Sequence, residues 1–488
     1  MKTGINFAPV GSYDTPLFND LLLQAQEPRL APNWSPGGHE LGSAMTEDRR
    51  VAQGMSWTTL RDGSTVPCEY LAGEYRNLST ATLFVDGQAV APQNTIEIAT
   101  VGQLQVFIDN QTGGPIPMPK LARMNGGLLL QPAVVDAIRE WDFVRTMQAQ
   151  SQHLVRSRVI EKMGPCSDIG ISISDAIMIG NLHGKEVHLT LDFDTCQDED
   201  ALNAVLLYIR GLMNDGLKIC LHVMNEVWNS VVFPESARWI NEVWSGDFWL
   251  AMRRYAELVT FVKQRVSALG FDFEVHMESN QHIDGLTETL RENGDFDVMQ
   301  LNGYLYLDSG NVDEAEAQLE GNLDAWADMT ELVVVEGERW GLYEKGLHVR
   351  GAGTSGAAAG ANEAKKVITR SDFGKQITAQ HLQVCEDMGC ESVAAYCFER
   401  EPRDVDPKAV FEFGIRQGLL SGDRDGRMEA YAEYMTNDNS VPKDGTGGDG
   451  GLPPKTPASP LGPLLTSLES NLRGAADDIA AIRAKLKI

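Results

Sequence analysis

The sequence predicts an α/β fold: a (β/α)8 TIM barrel with an inserted small antiparallel β domain and a C-terminal heptad helix. Eight short apolar runs of strand type recur along the 488 residues, and helical patterns lie between them. Such alternation is typical of parallel sheets. An open doubly wound sheet would carry a glycine-rich phosphate loop after its first strand, and none follows the first run here. We therefore expect a closed barrel.

The first predicted strand lies at 4–9 and contains Gly-Ile-Asn-Phe. The remaining seven are predicted at 143–147, 187–193, 219–224, 273–278, 298–304, 332–335 and 393–398. Apolar residues at helical spacing predict helices between them, for example over 201–214 and 249–269. In a parallel barrel all eight strands end at one face, where barrel enzymes place their active sites.

The alternation is interrupted by short antiparallel patterns, including 81–85, 95–98 and 104–108, with turns between them. We therefore divide the chain into a barrel start at 1–52 (strand 1, helix 1), an inserted β domain at 53–118, and the remainder of the barrel at 119–435. A segment rich in Pro, Gly, Asp and Ser predicts a flexible linker at 436–460.

The last segment, 461–488, predicts a coiled-coil-like helix. Two interpretations stay open. The helix packs on its own barrel, or residues 462–488 mediate homo-oligomerisation or docking to other proteins. The pattern rests on a heptad spacing of apolar or small residues at Leu465, Leu468, Leu472, Ala475, Ile479, Ile482 and Leu486.

Composition limits the partners. The net charge is −28, from 69 acidic and 41 basic residues, which disfavours nucleic acid and anionic membranes and is compatible with a neutral glycan.

No run of apolar residues reaches the length of a membrane helix, so we expect no membrane insertion. The N-terminus lacks a signal-peptide core, so we expect synthesis in the cytoplasm. The seven cysteines are scattered and no pair has zinc-ligand spacing, so we predict no metal and no cofactor.

Two glutamates follow apolar runs that we predict as the fourth and seventh strands. Glu226 follows 219–224 within Asn-Glu-Val-Trp-Asn, and Glu336 follows 332–335. If both runs belong to one parallel barrel, the two carboxylates converge, as cleavage of a glycosidic bond requires. We assign Glu226 as the acid/base and Glu336 as the nucleophile. Glu338 competes with Glu336 because it points to the same side of the chain.

These residues resemble the clan A retaining glycoside hydrolases, the cellulase-like barrels. The resemblance rests on Gly-Ile-Asn-Phe in strand one, Arg145 in strand two, Asn225-Glu226 after strand four and Glu336 after strand seven. It implies that Asn225 hydrogen-bonds the sugar 2-hydroxyl, that Arg145 holds Glu336 ionised, and that Tyr304 orients the nucleophile. One departure is Phe398 at the end of strand eight, where the clan usually offers Trp.

Two tryptophans beside the glutamates, Trp228 and Trp340, are candidate sugar-stacking platforms. His222 and His276 lie on predicted barrel strands, and we interpret them as packed residues, not as ligands.

The sequence therefore predicts a retaining glycoside hydrolase that acts on a cell-surface or extracellular polysaccharide. The absence of a signal peptide, together with the linker and the heptad helix, also fits a component of a virion tail. Two alternatives stay open: a non-catalytic glycan-binding or structural tail protein that keeps the barrel, and an intracellular glycosidase acting on imported oligosaccharides.

Overall fold

Eight parallel strands close into a barrel in the computed structural model, which confirms the predicted fold class. Strands are numbered along the chain. In order around the barrel they are β1 (Lys2–Phe7), β12 (Phe143–Thr146), β13 (Glu186–Leu191), β14 (Ile219–Val223), β15 (Glu274–Glu278), β16 (Val298–Leu307), β17 (Trp340–Val349) and β18 (Ser392–Ala395). β18 pairs with β1 and completes the ring.

The structure describes the barrel more fully than the rest of the chain. The described residues are 1–7, 29–30, 50–51, 55–58, 73–85, 87–98, 105–108, 116–117, 121–123, 139, 141–146, 173–230, 234–307, 309–349, 364–365, 367–395 and 426–437. Predicted features outside them are helix 1 of the barrel start, Phe398, most of the linker and the heptad helix. These features stay predictions.

Helices surround the barrel in the described part of the chain. They are α1 (Ile173–His183), α2 (Phe193–Gln197), α3 (Glu199–Leu212), α4 (Pro234–Ala237), α5 (Phe248–Ala268), α6 (Leu286–Asn293), α7 (Val312–Val333), α8 (Asp372–Asp387) and α9 (Gly426–Asn437), with a π-helical segment at Arg238–Val243. α9 runs two residues into the predicted linker. None of the described helices combines the length and apolar composition that crossing a membrane needs.

Short antiparallel strands lie between β1 and β12, as the sequence predicts. They are β2 (Arg29–Leu30), β3 (Arg50–Val51), β4 (Met55–Thr58), β5 (Gly73–Asn77), β6 (Leu83–Val85), β7 (Gln88–Val90), β8 (Thr95–Ile98), β9 (Gln105–Ile108), β10 (Ile116–Pro117) and β11 (Leu121–Arg123). They form sheets separate from the barrel, in the orders β10-β3, β11-β5-β8 and β2-β4-β9-β6-β7. The strands extend on both sides of 53–118, whose boundaries stay a prediction.

The predicted seventh strand is wrong. Leu332 and Val333 form the last turn of α7, and β17 begins only at Trp340. Leu332 is 82% exposed, whereas the buried side chains of α7 lie earlier along the helix. A four-residue apolar run does not by itself distinguish a strand from the end of a helix. Glu336 consequently lies in the turn before β17, at the opposite end of that strand from the active-site face.

Gly4 in β1 makes room for Phe143, its partner across the strand pair. A side chain at Gly4 would overlap the Phe143 ring, and that ring cannot easily move because it stacks on His188 with centroids 4.2 Å apart. We expect Gly4→Ala to lower the free energy of unfolding by about 1–3 kcal/mol through overpacking, measured by denaturant titration. The matched control is Gly211→Ala in α3, where a Cβ meets open space. A similar loss there would contradict the steric explanation.

Candidate active site

The chain turns sharply after β14 and presents Glu226 at the face where the strands end. Met224 and Glu226 have φ angles of 59° and 46°, a left-handed conformation that is costly for residues other than glycine. Backbone bonds hold the turn: Met224 N donates to Leu191 O at 2.7 Å, and Glu226 N donates to Glu278 Oε2 at 3.1 Å. Ser236 Oγ donates to Glu226 O at 3.1 Å. Strain maintained in this way is common at functional sites.

The Glu226 carboxyl group is nearly enclosed, with 7% of the residue exposed. The Tyr343 hydroxyl donates to its Oε1 at 2.7 Å, and Asn229 Nδ2 donates to its Oε2 at 2.8 Å. Burial raises the pKa of Glu226, although these hydrogen bonds and the charge of Arg145 oppose the rise. Glu226 therefore holds its proton to higher pH than an exposed glutamate.

A β-bulge in β17 brings two consecutive side chains to the site. Leu342 pairs with Leu301, but Glu344 pairs with Asn302, so Tyr343 is an extra residue against β16. A bulge of this kind redirects side chains that would otherwise alternate between faces. As a result, the Tyr343 hydroxyl contacts Glu226 while the neighbouring Glu344 carboxylate also points into the cluster.

Glu344 is buried among polar groups. The Tyr304 hydroxyl donates to its Oε2 at 2.6 Å, and Arg145 Nη1 donates to its Oε1 at 3.5 Å. Burial first, and then the charge of Glu226, raise the pKa of Glu344 well above its usual value, whereas Arg145 and Tyr304 oppose that rise. Arg145 and Tyr304 are therefore the groups that favour an ionised Glu344.

Arg145 connects the cluster from β12. It is fully buried, and its Nη2 donates to Asn225 Oδ1 at 2.8 Å and to Glu278 Oε1 at 2.5 Å. Burial lowers the pKa of Arg145, but Glu278 and Glu344 outweigh burial and raise it. The guanidinium is thus a fixed positive charge between carboxyl groups.

Three buried carboxyl groups surround this one guanidinium: Glu226, Glu278 and Glu344. Burial is the largest cause of a raised pKa in all three, and the pKa of Glu278 rises to about 7. Three ionised carboxylates beside one cation would leave two uncompensated buried charges, which is costly. The cluster therefore retains protons near neutral pH.

The structure brings together five of the seven predicted site residues. Arg145, Asn225, Glu226 and Tyr304 share the contacts described above. Trp228 lies beside them, with its ring centroid 5.9 Å from that of Tyr343.

Glu336 and Trp340 do not join this group. Trp340 is the first residue of β17, about 13 Å along the strand from Glu344, and its Nε1 donates to Met388 O at 3.3 Å. Glu336 is exposed in the preceding turn. Its predicted competitor Glu338 is paired with Arg291 Nη2 at 2.8 Å. The error in strand seven therefore displaces both predicted residues.

Sequence reasoning missed four residues of the cluster: Asn229, Glu278, Tyr343 and Glu344. Glu278 had a usable signal, because it ends the predicted fifth strand, and strand ends in barrels carry the chemistry. Asn229 belongs to the Asn-Glu-Val-Trp-Asn segment that drew attention to Glu226. Tyr343 and Glu344 had no comparable signal because their strand was not predicted.

Residues of metal-ligand type also meet inside the barrel. One ring nitrogen from each of His188, His222 and His276 lies within 4.8 Å of the others. These nitrogens are engaged in hydrogen bonds: His188 Nδ1 lies 3.1 Å from His222 Nε2, and His276 Nδ1 lies 3.0 Å from Gln300 Nε2. The group is thus a hydrogen-bonded set of imidazoles in this structure.

No protein-family profile and no curated protein sequence matches the chain. Solved structures with similarity include an α-L-arabinofuranosidase from Thermotoga maritima, at 11% identity and a TM-score of 0.35, covering 56% of this chain and 58% of that one. A β-glucuronidase from Bacteroides uniformis matches at 11% identity and a TM-score of 0.33, covering 76% and 47%. A xyloglucan-specific endo-β-1,4-glucanase from a metagenomic library matches at 12% identity and a TM-score of 0.37, covering 64% and 89%. At this distance the matches say nothing of substrate or reaction.

Proposed function

We propose that this chain is a retaining glycoside hydrolase, with Glu226 as acid/base and Glu344, in place of Glu336, as nucleophile. The observation that carries the proposal is a pair of buried carboxyl groups, contributed by the fourth and seventh strands of a closed parallel barrel, on either side of Arg145 and Tyr343. Cleavage of a glycosidic bond needs two such groups. The substrate class is a cell-surface or extracellular polysaccharide. A role in a virion tail stays a prediction from the sequence.

In the first step, the Glu226 carboxyl group gives its proton to the leaving glycosidic oxygen. Its raised pKa suits this role, because a general acid must still be protonated near neutral pH. Glu344 attacks the anomeric carbon, and the bond to the leaving oxygen breaks as a glycosyl ester forms. Burial raises the pKa of Glu344 well above its usual value, and Arg145 and Tyr304 are the groups that oppose this rise and so favour the ionised nucleophile.

In the second step, Glu226 acts as base. It takes a proton from water, the water oxygen bonds to the anomeric carbon, and the ester bond to Glu344 breaks. The donors Tyr343 and Asn229 stabilise the ionised Glu226 that this step requires. Asn225, held by Arg145 through its Oδ1, is placed to contact the sugar beside Glu226. Trp228, which lies beside Tyr343, is the aromatic residue that we assign to packing against a pyranose.

Retention, and not inversion, is the expected stereochemical outcome. Retaining enzymes hold their two carboxyl groups about 5–5.5 Å apart, with no room for a water between the nucleophile and the anomeric carbon. Close placement of Glu226 and Glu344 is supported by the Glu226 charge, which raises the pKa of Glu344, and by Tyr343, which adjoins Glu344 in sequence and donates a hydrogen bond to Glu226. Proton NMR of the first product released from a glycan should show the anomeric configuration of the substrate.

The test begins with a screen of neutral polysaccharides and aryl glycosides of several sugars. Hydrolysis with retained configuration supports the proposal, and inverted product contradicts the nucleophilic role of Glu344. Glycan binding without hydrolysis of any substrate would favour the alternative of a binding protein that keeps the barrel.

A further inference from the structure

A row of hydrogen-bonded ionisable side chains runs through the interior of the barrel. Glu278, the last residue of β15, has its Oε1 2.9 Å from His222 Nδ1. His222 Nε2 lies 3.1 Å from His188 Nδ1, and His188 Nε2 lies 3.0 Å from Oε1 of Glu186, the first residue of β13. Barrel interiors are ordinarily filled by branched apolar side chains. Four polar residues in contact there indicate a role beyond packing.

The protons in this row can be counted. Three consecutive hydrogen bonds need three protons, one in each bond. Two neutral imidazoles supply two, and ionised carboxylates supply none. We infer that the row Glu278–His222–His188–Glu186 holds one proton more than its two neutral imidazoles carry, and that His188 and His222 thereby act as positioning residues for Glu226 and Glu344.

The Glu186 end of the row is ionised. Lys2 Nζ lies 2.5 Å and Lys218 Nζ 3.6 Å from its Oε2. Burial alone would raise the pKa of Glu186, but His188 and Lys2 outweigh it and lower that pKa. His188 must then donate through Nε2–H to Glu186, and His222 must donate through Nε2–H to His188. The bond that remains needs a proton from the Glu278 carboxyl group to His222 Nδ1.

The surroundings of Glu278 favour this placement. Burial raises its pKa to about 7, against Arg145 and the backbone N–H of Glu226, while the Glu226 charge adds to the rise. From α5, the Tyr255 hydroxyl accepts a hydrogen bond from Glu278 N at 3.1 Å. From β17, Glu344 adds a further acidic group that is electrostatically linked to Glu278.

The imidazoles of His188 and His222 are less able than the Glu278 carboxyl group to hold the extra proton. Burial lowers the pKa of His222 well below its usual value, and Arg145 and His276 add to the effect. Burial likewise lowers the pKa of His188 to about 4, although Glu186 opposes it. His188 also stacks on the apolar ring of Phe143. The hydrogen-bond count places the extra proton between Glu278 Oε1 and His222 Nδ1, and the lowered pKa values of the imidazoles favour the carboxyl side of that bond.

His276 provides a contrast within the same barrel. Gln300 Nε2 can donate to its Nδ1 at 3.0 Å, and its Nε2–H can donate to Glu274 Oε2 at 3.5 Å. Both bonds are satisfied by a neutral imidazole beside an ionised carboxylate. His276 needs no extra proton, so it serves as the matched control.

The consequence for the site concerns Arg145. A protonated Glu278 is neutral, so the guanidinium charge is left to favour the ionised form of Glu344 against the burial that raises its pKa, and Glu226 retains the proton of the general acid. This step rests on the proposed function, because it assigns Glu344 and Glu226 their protonation states for glycoside cleavage. An ionised Glu278 would instead compete with Glu344 for Arg145.

The first test is spectroscopic and uses the full chain labelled with ¹⁵N in histidine. At about pH 6, which lies below the pKa of Glu278, His188 and His222 should both show a protonated Nε2 and an unprotonated Nδ1. Infrared spectra should show the carbonyl band of a protonated buried carboxyl group. Glu226 contributes a band of its own, so the expected result is that one component of the band is lost in Glu278→Gln and that both components remain in His276→Gln.

The second test is stability. The pKa of Glu278 is about 7 in the folded chain against 4.5 for the free group, so the native state binds more protons between those values. Stability from this group therefore falls as pH rises from about 4.5 to about 7. Glu278→Gln keeps a neutral donor toward His222, so its melting temperature should match that of the parent at low pH and decline less across this window. A large loss at low pH would show an ionised Glu278 paired with Arg145 and overturn the inference.

Two further results would overturn it. One is protonated Nδ1 in both histidines with no component of the carboxyl band lost in Glu278→Gln. The other is a stoichiometric metal ion, found by elemental analysis and lost in His222→Gln, because an ion would then occupy the place of the proton. These measurements need no substrate, so the inference can fail while hydrolysis is observed, and hydrolysis can be absent while the inference stands.

Discussion

Replacing Glu344 with Gln should reduce hydrolysis of every cleavable glycan at least about 10³-fold while leaving the chain folded. An amide cannot form the glycosyl ester, so the first bond-forming step is lost for good and poor leaving groups alike. Gln has almost the shape of Glu, and its carbonyl oxygen can still accept the Tyr304 hydroxyl. The measurement is kcat/KM on a substrate found in the screen, together with the melting temperature of each variant.

The matched control is Glu336→Gln. Glu336 is exposed in the turn before β17, so its loss should change neither activity nor stability measurably. Activity in Glu344→Gln together with its loss in Glu336→Gln would refute the assignment of the nucleophile. Added azide gives a sharper readout with Glu344→Ala, because it can enter the space that the removed carboxylate leaves. The product in Glu344→Ala should be a glycosyl azide of inverted configuration.

Seven of the eight barrel strands could be predicted because each contains a short run rich in apolar residues. The strand Ile219–Val223, for example, is buried at all five positions. β17 has no such run: it carries Gly341, Glu344, Lys345 and Gly346 within ten residues. The apolar run just before it completes α7 instead. Local sequence favoured the wrong segment, and only pairing with β16 and β18 identifies the strand.

Site residues at the ends of predicted strands could be predicted from the sequence. Site residues whose position depends on how two strands align with each other could not. Arg145, Asn225, Glu226 and Tyr304 follow from their places on predicted strands and from the resemblance they carry. Glu344 enters through a bulge, and a one-residue insertion has no signature in a strand that is itself unrecognised.

The histidine row depends on register in the same way. His188 pairs with Cys220, and His222 with His276, across adjacent strands. The contacts of these imidazoles with Glu186 and Glu278 follow from that alignment and from the closure of the barrel. This alignment between strands cannot be predicted from composition or from residue spacing along the chain.

Glu226→Gln should lower the rate of hydrolysis about 10²–10⁴-fold on substrates with poor leaving groups. On activated aryl glycosides, the rate of the first step should fall far less. The amide cannot donate the proton that a sugar or alcohol leaving group needs, whereas a good leaving group departs without it. Glu344 is still present, so the glycosyl ester should form and accumulate, since no base then activates water. A burst of released phenol followed by slow turnover would reveal this intermediate.

The dependence of activity on pH should also differ between the parent enzyme and Glu226→Gln. Because burial raises the pKa of Glu226, the parent enzyme should lose activity on poor leaving groups as pH rises through that pKa, when the proton needed for the first step is gone. Glu226→Gln should lack this alkaline limb on activated substrates. Azide should rescue its second step and give a glycosyl azide of retained configuration, the opposite of the product from Glu344→Ala. The same configuration from both variants would mean that the two carboxyl groups do not divide the reaction as proposed.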